Sequence, residues 1–169
     1  MKLELVFLGT GTSQGVPVIG CNCIVCESKN KKDQRLRSSL LVKVNSHSIL
    51  IDIGPDFRAQ MLKSNTIDID GILLTHQHRD HTAGLDDIRP IYYLNNKPIE
   101  LYAENKVIES IKNDFHYFFT SNNYPSKPSI NLHIINNAPF YISGIKIQPI
   151  RVMHHKLPIF GYRIGDVSY

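Results

Sequence analysis

The sequence predicts an α/β layered domain built on mixed or mostly antiparallel sheets. Three observations carry that prediction. Short runs rich in Ile, Val and Leu are bounded by Gly, Pro or Asn, as strands are. Fewer segments space their apolar residues as a helix does, and they fall between the strand candidates. At 169 residues the chain is one domain by length, able to bury about two thirds of its unfolded surface.

The elements follow in order. Leu3 to Leu8 alternates and carries Glu4, so the N-terminus reads as a strand, not a signal peptide, and the protein as cytoplasmic. Gly9-Thr10-Gly11-Thr12-Ser13-Gln14-Gly15 invites a phosphate-loop reading. It lacks the Gly-Lys-Ser/Thr ending, and Val16-Pro17-Val18 does not begin a helix, so a tight strand-to-loop turn is expected. Ser39 to Val44 and Ser48 to Ile53 are strands joined at Asn45-Ser46. Pro55 to Leu62 is a helix with Pro in its first turn and Phe57, Met61 and Leu62 on one face. After a strand from Gly71 to Thr75, a short helix runs through Leu85 and Ile88 and stops before Pro90. Ile99 to Ala103 is a strand. Glu104 to Phe119 is a helix whose stripe of Val107, Ile108, Ile111, Phe115 and Phe118 is core packing. Ile130 to Ile135, Ile145 to Val152 and Gly161 to Ile164 complete the strands, with a turn at Ser143-Gly144.

The chemistry concentrates in Thr75-His76-Gln77-His78-Arg79-Asp80-His81. Neutral imidazole and carboxylate hold zinc, manganese or iron. If the chain stays extended past Leu74, His76 and His78 project to one side. Asp80 and His81 then come from the following turn and can serve a second position, the division of ligands that a two-metal hydrolytic centre needs. His47, His116 and His133 are read as surface or hydrogen-bonded residues.

All three cysteines lie in Cys21-Asn22-Cys23-Ile24-Val25-Cys26. An odd number packed this tightly makes no disulfide framework. Three thiolates at this spacing reach one tetrahedral structural zinc, with a fourth ligand from elsewhere. Reduced, inert cysteines are the alternative.

The formal charge of +4 is mild. Lys29, Lys31, Lys32, Arg35 and Arg37, offset by Glu27 and Asp33, read as a solvated loop. No aromatic interleaving supports a nucleic-acid groove. No apolar run approaches the ~20 residues of a membrane helix.

Taken together, Phe7-Leu8-Gly9-Thr10-Gly11-Thr12, the cysteine loop, Leu50-Ile51-Asp52-Ile53-Gly54-Pro55-Asp56, the histidine run, and His154-His155-Lys156-Leu157-Pro158 leading to Gly161-Tyr162-Arg163-Ile164 resemble the metallo-β-lactamase fold superfamily. The likeness is strongest to the branch of the phosphonate-pathway cyclic phosphodiesterase, with tRNase Z and the pyrroloquinoline-quinone biosynthesis protein B as relatives. The resemblance implies an αββα sandwich over 1–169 and a hydrolase carrying two divalent ions, zinc or manganese, that bridge a hydroxide. A small phosphodiester, cyclic ribose phosphates included, would be the substrate. Ribonuclease action and a non-catalytic accessory role are the alternatives. It further implies that His76, His78 and a later histidine hold the first ion while Asp80 and His81 contribute to the second. Alternation lets only one of His154 and His155 serve. The family spacing selects His154, and a one-residue slip would select His155. Asp52 matches a position that supports the metal loop from behind, a turn cap before Pro55 being its other reading. Asp86, Asp87 and Arg89 could line the cleft and receive no role.

Relatives of this kind need two more ligands, a bridging aspartate just after a strand beginning near Val167 and a late histidine. The sequence stops at Val167-Ser168-Tyr169, and Asp166 comes too early. The expectation is a domain incomplete at its C-terminus, with a homodimer that completes the sheet by exchange as the alternative.

Overall fold

The structure, a computed structural model, describes residues 2–120 and 127–169. Two sheets face each other. The larger has six strands in chain order: β1 (Leu3–Gly9), β2 (Ser39–Val44), β3 (His47–Ile51), β4 (Gly71–Leu73), β5 (Ile99–Ala103) and β6 (Ile130–Ile134). Strands β1 to β3 pair antiparallel, and β3 to β6 pair parallel. The smaller sheet is antiparallel, ordered β10 (Val167–Ser168), β9 (Leu157–Ile164), β8 (Ile145–His154), β7 (Phe140–Ile142).

Strand alternation divides the core in two. Leu41, Leu50 and Ile72 face a layer of helices, while Leu40, Val42, Ile49, Ile51 and Leu73 face the second sheet. Because β2, β3 and β4 are covered on both faces, they read in sequence as nearly unbroken apolar runs. Burying each such side chain contributes about 1.5–3 kcal/mol. The helices are α1 (Phe57–Ser64), α2 (Arg79–Thr82), α3 (Arg89–Asn95), α4 (Asn105–Asp114) and α5 (His116–Phe119). Their buried apolar residues all join the first core. Among the described residues no helix covers the outer face of the smaller sheet, so the layers seen are α, β and β.

Several local expectations are corrected. Pro90 starts a helix instead of ending one, since it occupies the first turn of α3, where its missing N–H costs nothing. The segment before it is a 3₁₀ turn, Ala83–Ile88. The helix over Glu104 to Phe119 breaks at Phe115, whose ψ of 37° turns the chain so that Phe115 and Phe118 stack in the core. Leu62 faces solvent, and Gln60 joins Phe57 and Met61 on the buried side of α1. The last two long strands extend to either side of His155-Lys156, which form a tight hairpin turn with His155 at φ 54°. Pro149 is tolerated because it lies beyond the part of β8 that pairs with β7. The expected turns at Asn45-Ser46 and Ser143-Gly144 are present. The short strand β7, which no separate sequence signal announced, precedes the second of them.

Lys29, Lys31, Lys32 and Arg35 are exposed, as a solvated loop requires, but Arg35 and the half-buried Arg37 also bond to the glycine turn. Arg37 donates to the Ser13 carbonyl at 2.8 Å and pairs with Asp56 at 3.0 Å, and Arg35 donates to Thr10 at 3.1 Å. They fix the glycine turn against the sheet. A Cβ on Gly9 would stand 1.9 Å from the Arg37 carbonyl, which explains why glycine is needed there.

Candidate metal centre

The larger sheet delivers the histidine motif. Strand β4 ends at Leu73, but the Leu74 amide still donates to the Tyr102 carbonyl at 3.0 Å, and the chain then leaves the sheet as an open loop. His76 is buried there, and His78 precedes α2 in extended conformation. His154 arrives from the other sheet as the last residue of β8. One nitrogen from each of the three rings lies within 4.8 Å of the others. His155, in the turn, is not a member of this group. The three surround the floor of a cleft of about 920 Å³, which Asp52, Asp80, His81, Thr12 and Ser13 also line. Ile150, Val152, Ile159 and Tyr169 form its apolar wall.

Asp52 organises the motif from beneath. It is buried at the end of β3 with φ 61°, and its carboxylate accepts three groups. The Thr75 amide donates at 2.8 Å, the Thr75 hydroxyl at 2.9 Å, and His81 Nδ1 at 2.7 Å. With its hydroxyl proton committed to Asp52, Thr75 Oγ1 is left to accept from His76 Nδ1, 2.9 Å away. That leaves His76 Nε2 as a bare lone pair. It is buried and has no hydrogen-bond partner among the described residues. An orphaned buried acceptor of this kind costs free energy unless something binds it. Burial, reinforced by His81, His78 and His154, holds the His76 pKa down to about 3, so the ring stays neutral. The donor set and its free lone pair therefore fit a divalent ion.

His81 sits differently. Burial disfavours its charged form, but the Asp52 hydrogen bond and the charges of Asp52 and Asp80 outweigh that and raise its pKa. Its Nδ1 faces Asp52 and its Nε2 lies 3.1 Å from Asp80 Oδ2, so His81 and Asp80 are paired with each other beside the three-histidine group. The motif loop packs on glycine. A Cβ on Gly54 would fall 2.2 Å from the Asp80 carbonyl, and one on Gly84 would fall 2.0 Å from the Gly54 carbonyl. Only bare backbone permits that approach.

Cys21, Cys23 and Cys26 also converge, with their sulfur atoms within 4.8 Å of one another. The Cys26 amide donates to Cys23 Sγ at 3.5 Å, and the Val18 amide to Cys26 Sγ at 3.3 Å. The Cys26 amide and the neighbouring thiols lower the Cys23 pKa to about 7, a thiolate-favouring setting. No fourth ligand joins them among the described residues. Asp86 and Arg89 do not line the cleft. They pair with each other at 2.7 Å, and Asp86 accepts from Tyr117 at 2.6 Å. Thr75, which sets the His76 tautomer, was missed in sequence, where a threonine before a histidine carries no signal of its own.

Comparisons with known proteins identify the family. A model of the beta-lactamase superfamily domain matches residues 47–169. A Porphyromonas gingivalis protein described as an octanoyltransferase is 42% identical over 169 residues, covering 99% of this chain and 34% of that protein. A ribonuclease Z from Prochlorococcus marinus is 29% identical over 178 residues, covering 97% of this chain and 50% of that protein. Among solved structures, a diphosphatase of the PhnP family superposes with a TM-score of 0.90 at 37% identity, over 99% of this chain and 64% of that one. The chain thus spans between about a third and two thirds of the length of these relatives. With a family model covering most of its length, the chain belongs to the beta-lactamase superfamily.

Proposed function

We propose that the protein is a metal-dependent phosphodiesterase whose first ion is held by His76, His78 and His154, with Asp80 and His81 donating to a second. The observation that carries this reading is the buried, unpartnered His76 Nε2 among three converging imidazoles. When bound, paired divalent ions supply a water nucleophile usable at neutral pH and draw charge off the phosphoryl oxygens. The protein's own work is positional. Thr75 holds His76 in the tautomer that presents Nε2, and Asp52 holds His81 in the tautomer that turns its Nε2 toward Asp80. The smaller sheet closes one side of the cleft with apolar side chains, which limits water beside the reacting groups. Zinc and manganese both suit this mixed imidazole and carboxylate set. The three cysteines hold a separate structural zinc, and the substrate is a small diester, cyclic ribose phosphates included.

The PhnP-family diphosphatase supports phosphoester chemistry. The octanoyltransferase name belongs to a protein of which this chain covers 34%, and no cysteine or lysine nucleophile for acyl transfer lines the cleft among the described residues. A second reading, RNA processing, is favoured by the ribonuclease Z relative. The test is hydrolysis of bis(p-nitrophenyl) phosphate, ribose cyclic phosphates and a precursor tRNA by the metal-loaded protein, with His76→Ala as control. Turnover of the small diesters alone is expected, abolished in the variant. Cleavage of the precursor alone would favour the second reading, and inertness toward all three would contradict both.

A further inference from the structure

The first metal position joins two sheets whose described backbone and hydroxyl bonds beside it run from β9, through Phe160 and Tyr162, to Thr75 and Leu74. His76 follows β4, whereas His154 ends β8. The last stretch of β8 is poorly held. Strand β7 pairs with Ile145 to Ile147, leaving the residues up to His154 with β9 as their one strand neighbour among the described residues. Val152 and Met153 are 42% and 61% exposed, so little packing holds them.

A charged clamp spans the gap. Glu104, which stands at the N-cap position of α4 after β5 and makes no side-chain capping bond, takes both terminal nitrogens of the Arg151 fork, at 2.6 and 3.1 Å. The same guanidinium lies 3.9 Å from the centre of the Phe160 ring, and Phe160 is the strand partner of Arg151 across β8 and β9. Lys106 pairs with Glu104 at 3.1 Å and donates to the Pro158 carbonyl. A planar fork held at both terminal nitrogens and stacked on one face has little freedom to tilt. Arg151 stands three residues before His154 on the same strand.

We propose that the Glu104–Arg151 pair is a positioning device that sets His154 against His76 and so sets the affinity of the three-histidine site for its ion. The inference rests on the metal reading above. Binding of cobalt(II) tests it, because thiolate ligation in the cysteine loop gives a charge-transfer band that an imidazole site lacks. Glu104→Gln keeps the size and loses the charge. It is expected to weaken cobalt binding at the histidine site by about 10- to 100-fold and to leave the thiolate band unchanged. In a His154→Ala background the same substitution is expected to weaken it no further, since the clamp acts through that ring. Arg151→Lys, which keeps the charge and loses the fork, supplies the same comparison should Glu104→Gln fold poorly. Wild-type affinity in both clamp variants, or an equal loss with and without His154, would overturn the proposal. Unchanged affinity in His154→Ala alone would instead overturn the metal reading beneath it.

Discussion

The Tyr162 hydroxyl donates to the Leu74 carbonyl at 2.6 Å, across 88 positions of sequence and from one sheet to the other. Leu74 immediately precedes the Thr75–His76 pair, and the neighbouring Phe160 amide donates to the Thr75 carbonyl at 3.1 Å. Strand β9 is therefore stitched directly to the loop that carries His76. Replacing Tyr162 by Phe leaves that carbonyl buried and unpaired. The expected cost is about 1–3 kcal/mol, read as a lower urea midpoint with an unchanged slope.

Asp52→Asn tests the support beneath the motif. An amide can still accept from Thr75, but it no longer favours His81 with its Nδ1 proton directed inward. Metal affinity should fall by about 10- to 100-fold, with the loss concentrated at the Asp80–His81 pair. Isothermal titration of zinc with and without Asp52→Asn, both in a Cys23→Ser background that removes the cysteine-loop site, resolves the two remaining positions, and a loss confined to the three-histidine site would contradict this placement of Asp52.

The strands and the histidine motif are legible in sequence because each rests on a local pattern. Two-sided burial of β2, β3 and β4 produces continuous apolar runs, and His76, His78, Asp80 and His81 fall within six residues. What sequence could not supply was tertiary. His154 and His155 are equivalent as letters, and only the hairpin that places His155 in the turn at φ 54° separates them. Pro90 reads as a stop until the preceding 3₁₀ turn shows that a new helix starts there. Arg37 looks like one more loop cation until Asp56 and the Ser13 carbonyl are brought to it by the fold.

Gly54→Ala should damage both stability and the second donor pair. The added carbon meets the Asp80 carbonyl, which belongs to backbone and cannot swing away. Overpacking of this kind costs about 1–3 kcal/mol. Thermal unfolding of the metal-free protein reads the stability loss, and zinc titration reads the displacement of Asp80.

Acid should weaken the protein partly through Asp70. Burial raises its pKa, but the Ser48 amide at 2.7 Å, His47 and Lys97 outweigh burial and leave it below the ordinary 3.8. The unfolded chain therefore binds this proton more readily than the folded one. The stabilisation is complete above pH 3.8 and is lost as pH falls through the lower folded value. Asp70→Asn should flatten that part of the stability profile, measured by urea unfolding between about pH 5 and pH 2.

Cys23→Ser should remove one equivalent of zinc while leaving the histidine site loaded, and His76→Ala should do the reverse. Elemental analysis of the two proteins checks both. Equal zinc content in the two and in wild type would undo both assignments.

The most direct measurement is anomalous scattering at the zinc edge from crystals of the zinc-loaded protein. A peak is expected about 2.0–2.1 Å from His76 Nε2, bonded also to His78 and His154. Strong scattering at the cysteine loop with none beside that buried nitrogen would contradict the account.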